Sequence, residues 1–178
     1  MAMSEITVRA LGEDDWETYR EVRLAALEES PDAFVADKAD EEGKSEQFWR
    51  ERMNRSRRLL AEADGGRVGV VSIGSSPEKP DEETDDSAGQ LFGLWVAPEW
   101  RGRSVAATLV REASKDAKGR GLRRLFYWVG TDNPRAVAFA SSFGFRPTDD
   151  RRPMRTHSDD GEEEIAMVLA LGDDRGDG

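Results

Sequence analysis

Apolar positions along this chain switch between a spacing of two and a spacing of three to four, and the switches predict its elements. Ile6-Thr-Val8-Arg-Ala10 alternates and predicts a first strand. Trp16, Tyr19, Val22 and Ala26, with Leu27 beside them, predict an amphipathic helix. Its start carries Glu13, Asp14 and Asp15, where a helix N-terminus favours negative charge, and Ser30-Pro31 ends it. Phe34, Val35 and the acidic run Asp40-Glu41-Glu42-Gly43 fall in the connection that follows. Ser45 is the expected cap of a second helix with Phe48, Trp49, Arg52 and Met53 on one side. Leu59-Leu-Ala-Glu-Ala63 and Val68-Gly-Val-Val-Ser-Ile73 then predict two strands joined at Asp64-Gly65-Gly66, a hairpin signal.

Residues 74–89 are polar, with five acids among positions 81–86, and predict a loop; an electrostatic lure for cations is the functional alternative. Residues 91–96 are apolar apart from Gly93 and predict a strand that ends before Pro98. Val105, Leu109 and Ala113, flanked by Ala106, Val110 and Ala117, form one buried face of a helix that Gly119 and Gly121 terminate. Residues 122–129 predict a strand. Asn133-Pro134 then opens a helix with Val137, Ala138 and Phe143 inward, and Gly144 closes it. Phe145 leads into a short strand, the arginine-rich and acidic segment 149–164 follows, and residues 165–171 form the last strand. This order implies an α/β (α+β) fold: a mixed sheet flanked by helices in one domain over residues 4–171, with an acidic disordered tail at 172–178.

Charge narrows the function classes. The net charge is −11, with 35% charged and 37% hydrophobic residues, and 21 of the 26 basic residues are arginine. Such a surface repels a polyanion, so no nucleic-acid partner is expected. Low lysine with abundant acid also suits a cytosol of high ionic strength, which makes a halophilic source a hypothesis. With no cysteine and a lone histidine, His157, neither a thiolate nucleophile nor a metal site is expected. No apolar run approaches the ~20 residues that span a membrane. Met1-Ala-Met-Ser-Glu-Ile lacks a signal pattern, so the expected location is the cytoplasm.

The chemistry concentrates at Arg101-Gly102-Arg103-Ser104-Val105-Ala106, a basic turn of small residues leading into a helix. Helix N-termini offer unpaired N–H groups and a positive dipole end, small residues let a phosphate approach, and arginine adds bidentate charge. Val96-Ala-Pro98-Glu-Trp-Arg101-Gly102-Arg-Ser104-Val-Ala106 resembles the acyl-CoA-binding motif of the GNAT superfamily of N-acetyltransferases. In that motif Gln or Arg is followed, after two intervening residues, by Gly and then, after one more, by Gly or Ala. Arg101 and Ala106 match; the middle glycine is Ser104. A second stretch, Asn133-Pro-Arg-Ala136 through Gly144-Phe145, resembles the family's next motif, and the element order matches the GNAT order over about residues 4–171, which implies a splayed sheet.

The resemblance implies that acetyl-CoA lies along Leu94, Trp95 and Val96. Its diphosphate would lie on the N–H groups of Gly102, Arg103, Ser104, Val105, Ala106 and Ala107, with charge from Arg101 and Arg103. Asn133 would touch the CoA arm; as a residue, it reads equally as a helix cap. The first two helices would form the acceptor wall, where Trp16 and Trp49 read equally as core. Two acid–base residues usual in the family are missing: Trp128 stands where many members have glutamate, and Ala140 where many have tyrosine. Asp40, Glu41, Glu42, Asp132 and water are substitute bases; Tyr127 and Ser141 are substitute donors. The expected function is acetyl-CoA-dependent transfer of an acetyl group directly to a primary amine of a small molecule or peptide, without metal. The alternative is a catalytically weak CoA-binding sensor or partner-binding module. A homodimer is among the states the sequence permits.

Overall fold

The computed structural model describes residues 5–30, 37–75, 87–131, 133–153 and 163–172. Its strands are β1 (Thr7–Leu11), β2 (Arg57–Ala63), β3 (Gly66–Ser75), β4 (Ala88–Val96), β5 (Arg124–Gly130), β6 (Arg146–Pro153) and β7 (Glu163–Ala170). Its helices are α1 (Trp16–Glu29), α2 (Lys38–Glu42), α3 (Glu46–Arg55), α4 (Val105–Gly119) and α5 (Pro134–Ser142). All seven strands join one sheet in the order β1-β2-β3-β4-β5-β7-β6. The pair β1/β2 is antiparallel, β4/β5 parallel, and β5/β7 and β6/β7 antiparallel, so the sheet is mixed as expected. The parallel register of β4 and β5 covers Ala88–Leu91 against Arg124–Tyr127, and each strand runs on beyond it. Contacts divide the chain into two compact units: Met1–Ser72 with Gly93–Ala113, and Ile73–Phe92 with Ser114–Gly178.

In the first unit, Tyr19, Val22 and Leu27 of α1 and Trp49 and Met53 of α3 share a core with Leu60, Val70 and Trp95. Tyr19 meets Trp49 edge-on, with ring centroids 6.1 Å apart. Burying one such large apolar side chain stabilises by roughly 1.5–3 kcal/mol. The Ser45 hydroxyl caps α3 by accepting the Phe48 N–H at 3.2 Å. Asp64 and Gly65 take φ of 53° and 76°, the left-handed pair that a two-residue hairpin turn requires.

Helix α2 forms where the sequence predicted only an acidic connection. Its Glu41 turns inward and is 5% exposed. Both carboxylate oxygens accept from Arg23, at 3.1 and 3.3 Å, and one also accepts from Arg52 at 2.9 Å. Burial pushes this carboxyl up, but Arg23 and Arg52 outweigh it and the net shift is downward. The ion pairs thus supply what periodicity could not show. A short 3-10 turn, Pro98–Trp100, was likewise not predicted.

In the second unit, α4 and α5 end alike. The N–H of left-handed Gly121 bonds to the Lys118 carbonyl at 3.0 Å and that of Leu122 to Ala117 at 3.0 Å. Gly144 and Phe145 repeat this with Ser141 and Ala140 at 3.0 and 3.2 Å. These are Schellman caps, as glycine at C′ favours. Leu122 therefore belongs to the cap of α4, and β5 starts later than the sequence suggested. In α5 the inward residue is Ala140, while Ala138 is exposed, contrary to expectation. Strand β6 takes up residues 149–153, which the sequence left outside any strand; its polar face suits the sheet edge it occupies.

Candidate functional site

Strand β4 carries a left-handed residue, Gly93, with φ of 64°. Glycine takes that conformation without strain, and it sets the direction of the residues that follow. Those are Leu94, half-buried, then Trp95 and Val96, each 9% exposed. The Ala97 N–H ties the strand end to the Val68 carbonyl at 2.9 Å. Beneath it, a Cβ on Gly69 would lie 2.9 Å from the Trp95 carbonyl oxygen, 3.0 Å from Leu109 and 3.1 Å from Val105. Only glycine at 69 lets β3 approach both β4 and α4 so closely.

The 3-10 turn then delivers an exposed loop of Arg101, Gly102, Arg103 and Ser104. Gly102 and Ser104 are both left-handed, with φ of 77° and 69°. Val105, 1% exposed, anchors the first turn of α4, and Ala106 and Ala107 are half-buried beside it. The Ser104 carbonyl accepts from the Thr108 N–H at 3.0 Å and its hydroxyl at 2.7 Å. Ser104 thus keeps a backbone conformation that glycine takes without strain. A Cβ on Gly102 would meet no atom within 4 Å, so the backbone there has open space on that side. These residues fit a diphosphate: small side chains, the start of a helix and two guanidinium groups.

The arginines have defined partners. Arg101 Nε donates to the Val96 carbonyl at 3.1 Å, and its Nη2 to Glu29 Oε2 at 2.8 Å. The same carboxylate oxygen accepts from the Trp95 indole at 2.9 Å and from the Ser30 hydroxyl. Ser30, Trp95 and Arg101 together hold the Glu29 carboxyl down at about 2. The Arg103 guanidinium stacks 5.1 Å from the Trp100 ring centroid.

The acetyltransferase (GNAT) family matches residues 11–145 of the chain. The chain belongs to the GNAT family. It is 26% identical over 147 residues to the mycothiol acetyltransferase of Cellulomonas flavigena, covering 80% of this chain and 41% of that one. To an uncharacterized N-acetyltransferase of Methanocaldococcus jannaschii it is 30% identical over 87 residues, 49% of this chain and 38% of that one. The chain therefore spans about two fifths of the length of these two curated relatives. A protein of Salmonella typhimurium, solved with its cofactor acetyl-CoA, superposes with a TM-score of 0.69 at 16% identity over 94% of each chain. That likeness establishes the fold.

The second GNAT-like stretch lies in the other unit. Asn133 caps α5: its Oδ1 accepts the Ala136 N–H at 3.1 Å. Oδ1 is thereby committed to the helix. Ala140 is 1% exposed, so a larger side chain there must displace its surroundings. Trp128 on β5 lies under the Arg152 guanidinium, 4.2 Å from its ring centroid, and Arg152 in turn donates to Glu164 at 3.1 and 3.3 Å. Burial raises the Tyr127 phenol above its usual range, with Glu164 adding to the shift. Among the other candidate acid–base groups, Glu41 is committed to two arginines, Asp40 lies 3.9 Å from Lys44, and Glu42 lies 3.7 Å from Lys38. Ser141 is exposed on α5. Asp132, His157, the acidic stretch 81–86 and the tail 173–178 lie outside the described residues.

Three supporting residues escaped sequence reasoning. Glu29 is 66 and 72 residues from its indole and guanidinium partners, a separation no local pattern reveals. Arg58, 2% exposed, donates to Ser72 Oγ at 2.7 Å and to the Arg52 carbonyl at 3.1 Å, and stacks 4.7 Å from the Tyr19 ring centroid. Burial pushes this guanidinium down to about 10. Ser72 Oγ lies 3.7 Å from where a Cβ on Gly93 would be, so Arg58 holds the hydroxyl that lies beside this glycine. Gly69 did carry a signal, a glycine within an apolar strand run.

Proposed function

We propose that this chain moves an acetyl group from acetyl-CoA directly to a primary amine of a small molecule or peptide. The observation that carries the reading is the left-handed pair Gly102 and Ser104 ahead of α4. Ser104 keeps the backbone of a phosphate turn at the one position where the sequence departs from the family motif. The acetyl-CoA held by the Salmonella typhimurium protein and the activity named for the Cellulomonas flavigena relative support the same reading.

Acetyl-CoA, when bound, supplies an activated acyl carbonyl for a neutral amine to attack and a thiolate as leaving group. The backbone N–H groups at Gly102, Arg103, Ser104, Val105, Ala106 and Ala107 bind the diphosphate, and Arg101 and Arg103 add charge. Leu94, Trp95 and Val96 line the pantetheine arm as a strand-like partner and orient the acyl group. No cysteine exists to carry the acyl group, so transfer passes through a ternary complex.

Trp128 and Ala140 place no acid or base at the usual family positions, so positioning carries most of the rate. Orientation contributes ~7–11 kcal/mol, whereas one general base contributes ~10²–10⁴-fold. The same two residues favour a second reading, a CoA-binding sensor with little turnover. Titration with acetyl-CoA, followed by thiol release across a panel of amines, separates the two. Binding with amine-dependent thiol release is expected; binding with background release only would establish the sensor, and absence of binding would overturn both.

A further inference from the structure

The Glu29 carboxylate sits on the last turn of α1, outside the acyl-CoA motif, yet one of its oxygens receives the Trp95 indole at 2.9 Å and the Arg101 guanidinium at 2.8 Å. Trp95 belongs to the strip proposed for the pantetheine arm, and Arg101 opens the turn proposed for the diphosphate. Arg101 also donates Nε–H to the Val96 carbonyl at 3.1 Å. An arginine has five N–H donors in a rigid fork. Two are spent inside the protein, which fixes the plane of the guanidinium, and the remaining donors sit on a side chain that is half exposed, against 28% exposure for Glu29.

We infer that Glu29 is a positioning residue for acyl-CoA: it orients Arg101, and with it the motif's first cation, through a carboxylate shared with Trp95. The inference rests on the acetyl-CoA reading above. Two effects of Glu29 oppose each other. Its charge repels an incoming diphosphate, while its grip on Arg101 removes the rotamer freedom that the arginine would otherwise lose on binding. Exposure decides between them: at a half-exposed guanidinium water screens the repulsion, whereas orientation of a charge-assisted hydrogen bond is retained.

Calorimetric titration of the full chain with acetyl-CoA tests this through variants that separate reach from charge. Glu29→Asp keeps the charge and loses reach; Glu29→Gln keeps reach and loses the charge. Positioning predicts that Glu29→Asp and Glu29→Ala each weaken binding by about tenfold, the scale of one hydrogen bond to a charged group. Glu29→Gln stays within about threefold of the wild-type chain, because repulsion is screened there. In an Arg101→Ala background, Glu29→Ala has no further effect, since the residue acts through that guanidinium. Thermal midpoints confirm that each variant is folded, and the aspartate and glutamine forms carry the test if the alanine form is not. Tighter binding by Glu29→Gln with unchanged Glu29→Asp would mean that charge dominates, and the inference falls. An undiminished Glu29→Ala effect without Arg101 would overturn it too. A wild-type chain that does not bind acetyl-CoA would sink the underlying reading itself.

Discussion

Gly69 lies so close to Trp95 that a Cβ on the glycine would sit 2.9 Å from the tryptophan's carbonyl oxygen, with Leu109 and Val105 at 3.0 and 3.1 Å. One hydrogen atom therefore sets how β3, β4 and the first turns of α4 meet. Gly69→Ala is expected to destabilise the fold by about 1–3 kcal/mol, the usual cost of overpacking. It should also weaken acetyl-CoA binding, because the displaced backbone belongs to Trp95 and the displaced helix starts at Val105. Gly66→Ala is the control: its nearest neighbour would be 3.7 Å away, and its effect should stay within about 0.5 kcal/mol. Denaturant melts and titration of both variants check this.

Ser104 holds φ of 69°, a region that costs an ordinary L-residue about 1–2 kcal/mol. Ser104→Gly relieves that strain but adds freedom to the unfolded chain worth about 0.4–1 kcal/mol. The net expectation is a gain of roughly 0.5–1 kcal/mol, with acetyl-CoA binding retained or tightened. Ser104→Val should move both quantities the other way, since a β-branched residue resists this conformation. Loss of stability in Ser104→Gly would show that the hydroxyl contributes something its geometry does not reveal.

Helix α4 and its approach were legible because local signals coincide there. Val105, Leu109 and Ala113 recur at helical spacing, Pro98 stops a strand, and Gly121 supplies the left-handed cap. The two-residue turn at Asp64 and Gly65 was legible for the same reason. What escaped notice depends on partners far along the chain. Helix α2 is five residues long, too short for a period to show, and is held by Glu41 against Arg23 and Arg52. The far part of strand β6, residues 149–153, has no apolar alternation; only its pairing with β7 makes it strand. At the candidate site, the motif residues could be read but not their bracing, which runs through Glu29, Arg58 and Ser72.

Removing the Glu41 carboxylate should expose how much α2 depends on it. Arg23 and Arg52 are 14% and 16% exposed and would both lose this carboxylate. Taking one partner from a buried ion pair costs ~3–5 kcal/mol, and the partial exposure of both arginines places Glu41→Ala near the lower end. Adding Arg23→Met and Arg52→Met to that variant should recover part of the loss, because two largely buried cations that have lost this carboxylate are removed as well. Urea unfolding of the single and triple variants measures both steps. A loss under about 1 kcal/mol for Glu41→Ala would class the triad with surface pairs.

Acid should loosen the fold through two carboxylates whose folded pKa values are depressed. The Glu29 carboxyl is held at about 2 by Ser30, Trp95 and Arg101, against ~4.3 for a free glutamate. Between those values the unfolded chain binds more protons than the folded one, so stability falls as pH falls. The contribution is complete above about pH 5 and is lost on descending to about pH 2. Glu41 acts in the same direction: burial raises its carboxyl, but Arg23 and Arg52 lower it further. Comparing thermal midpoints of the wild-type chain and Glu29→Gln isolates the contribution of Glu29. Their difference should be constant from pH 7 to about 5 and then shrink steadily as the wild-type carboxylate protonates. A difference that stays the same down to the acid limit would mean that ionisation of Glu29 contributes nothing to its grip on Trp95 and Arg101.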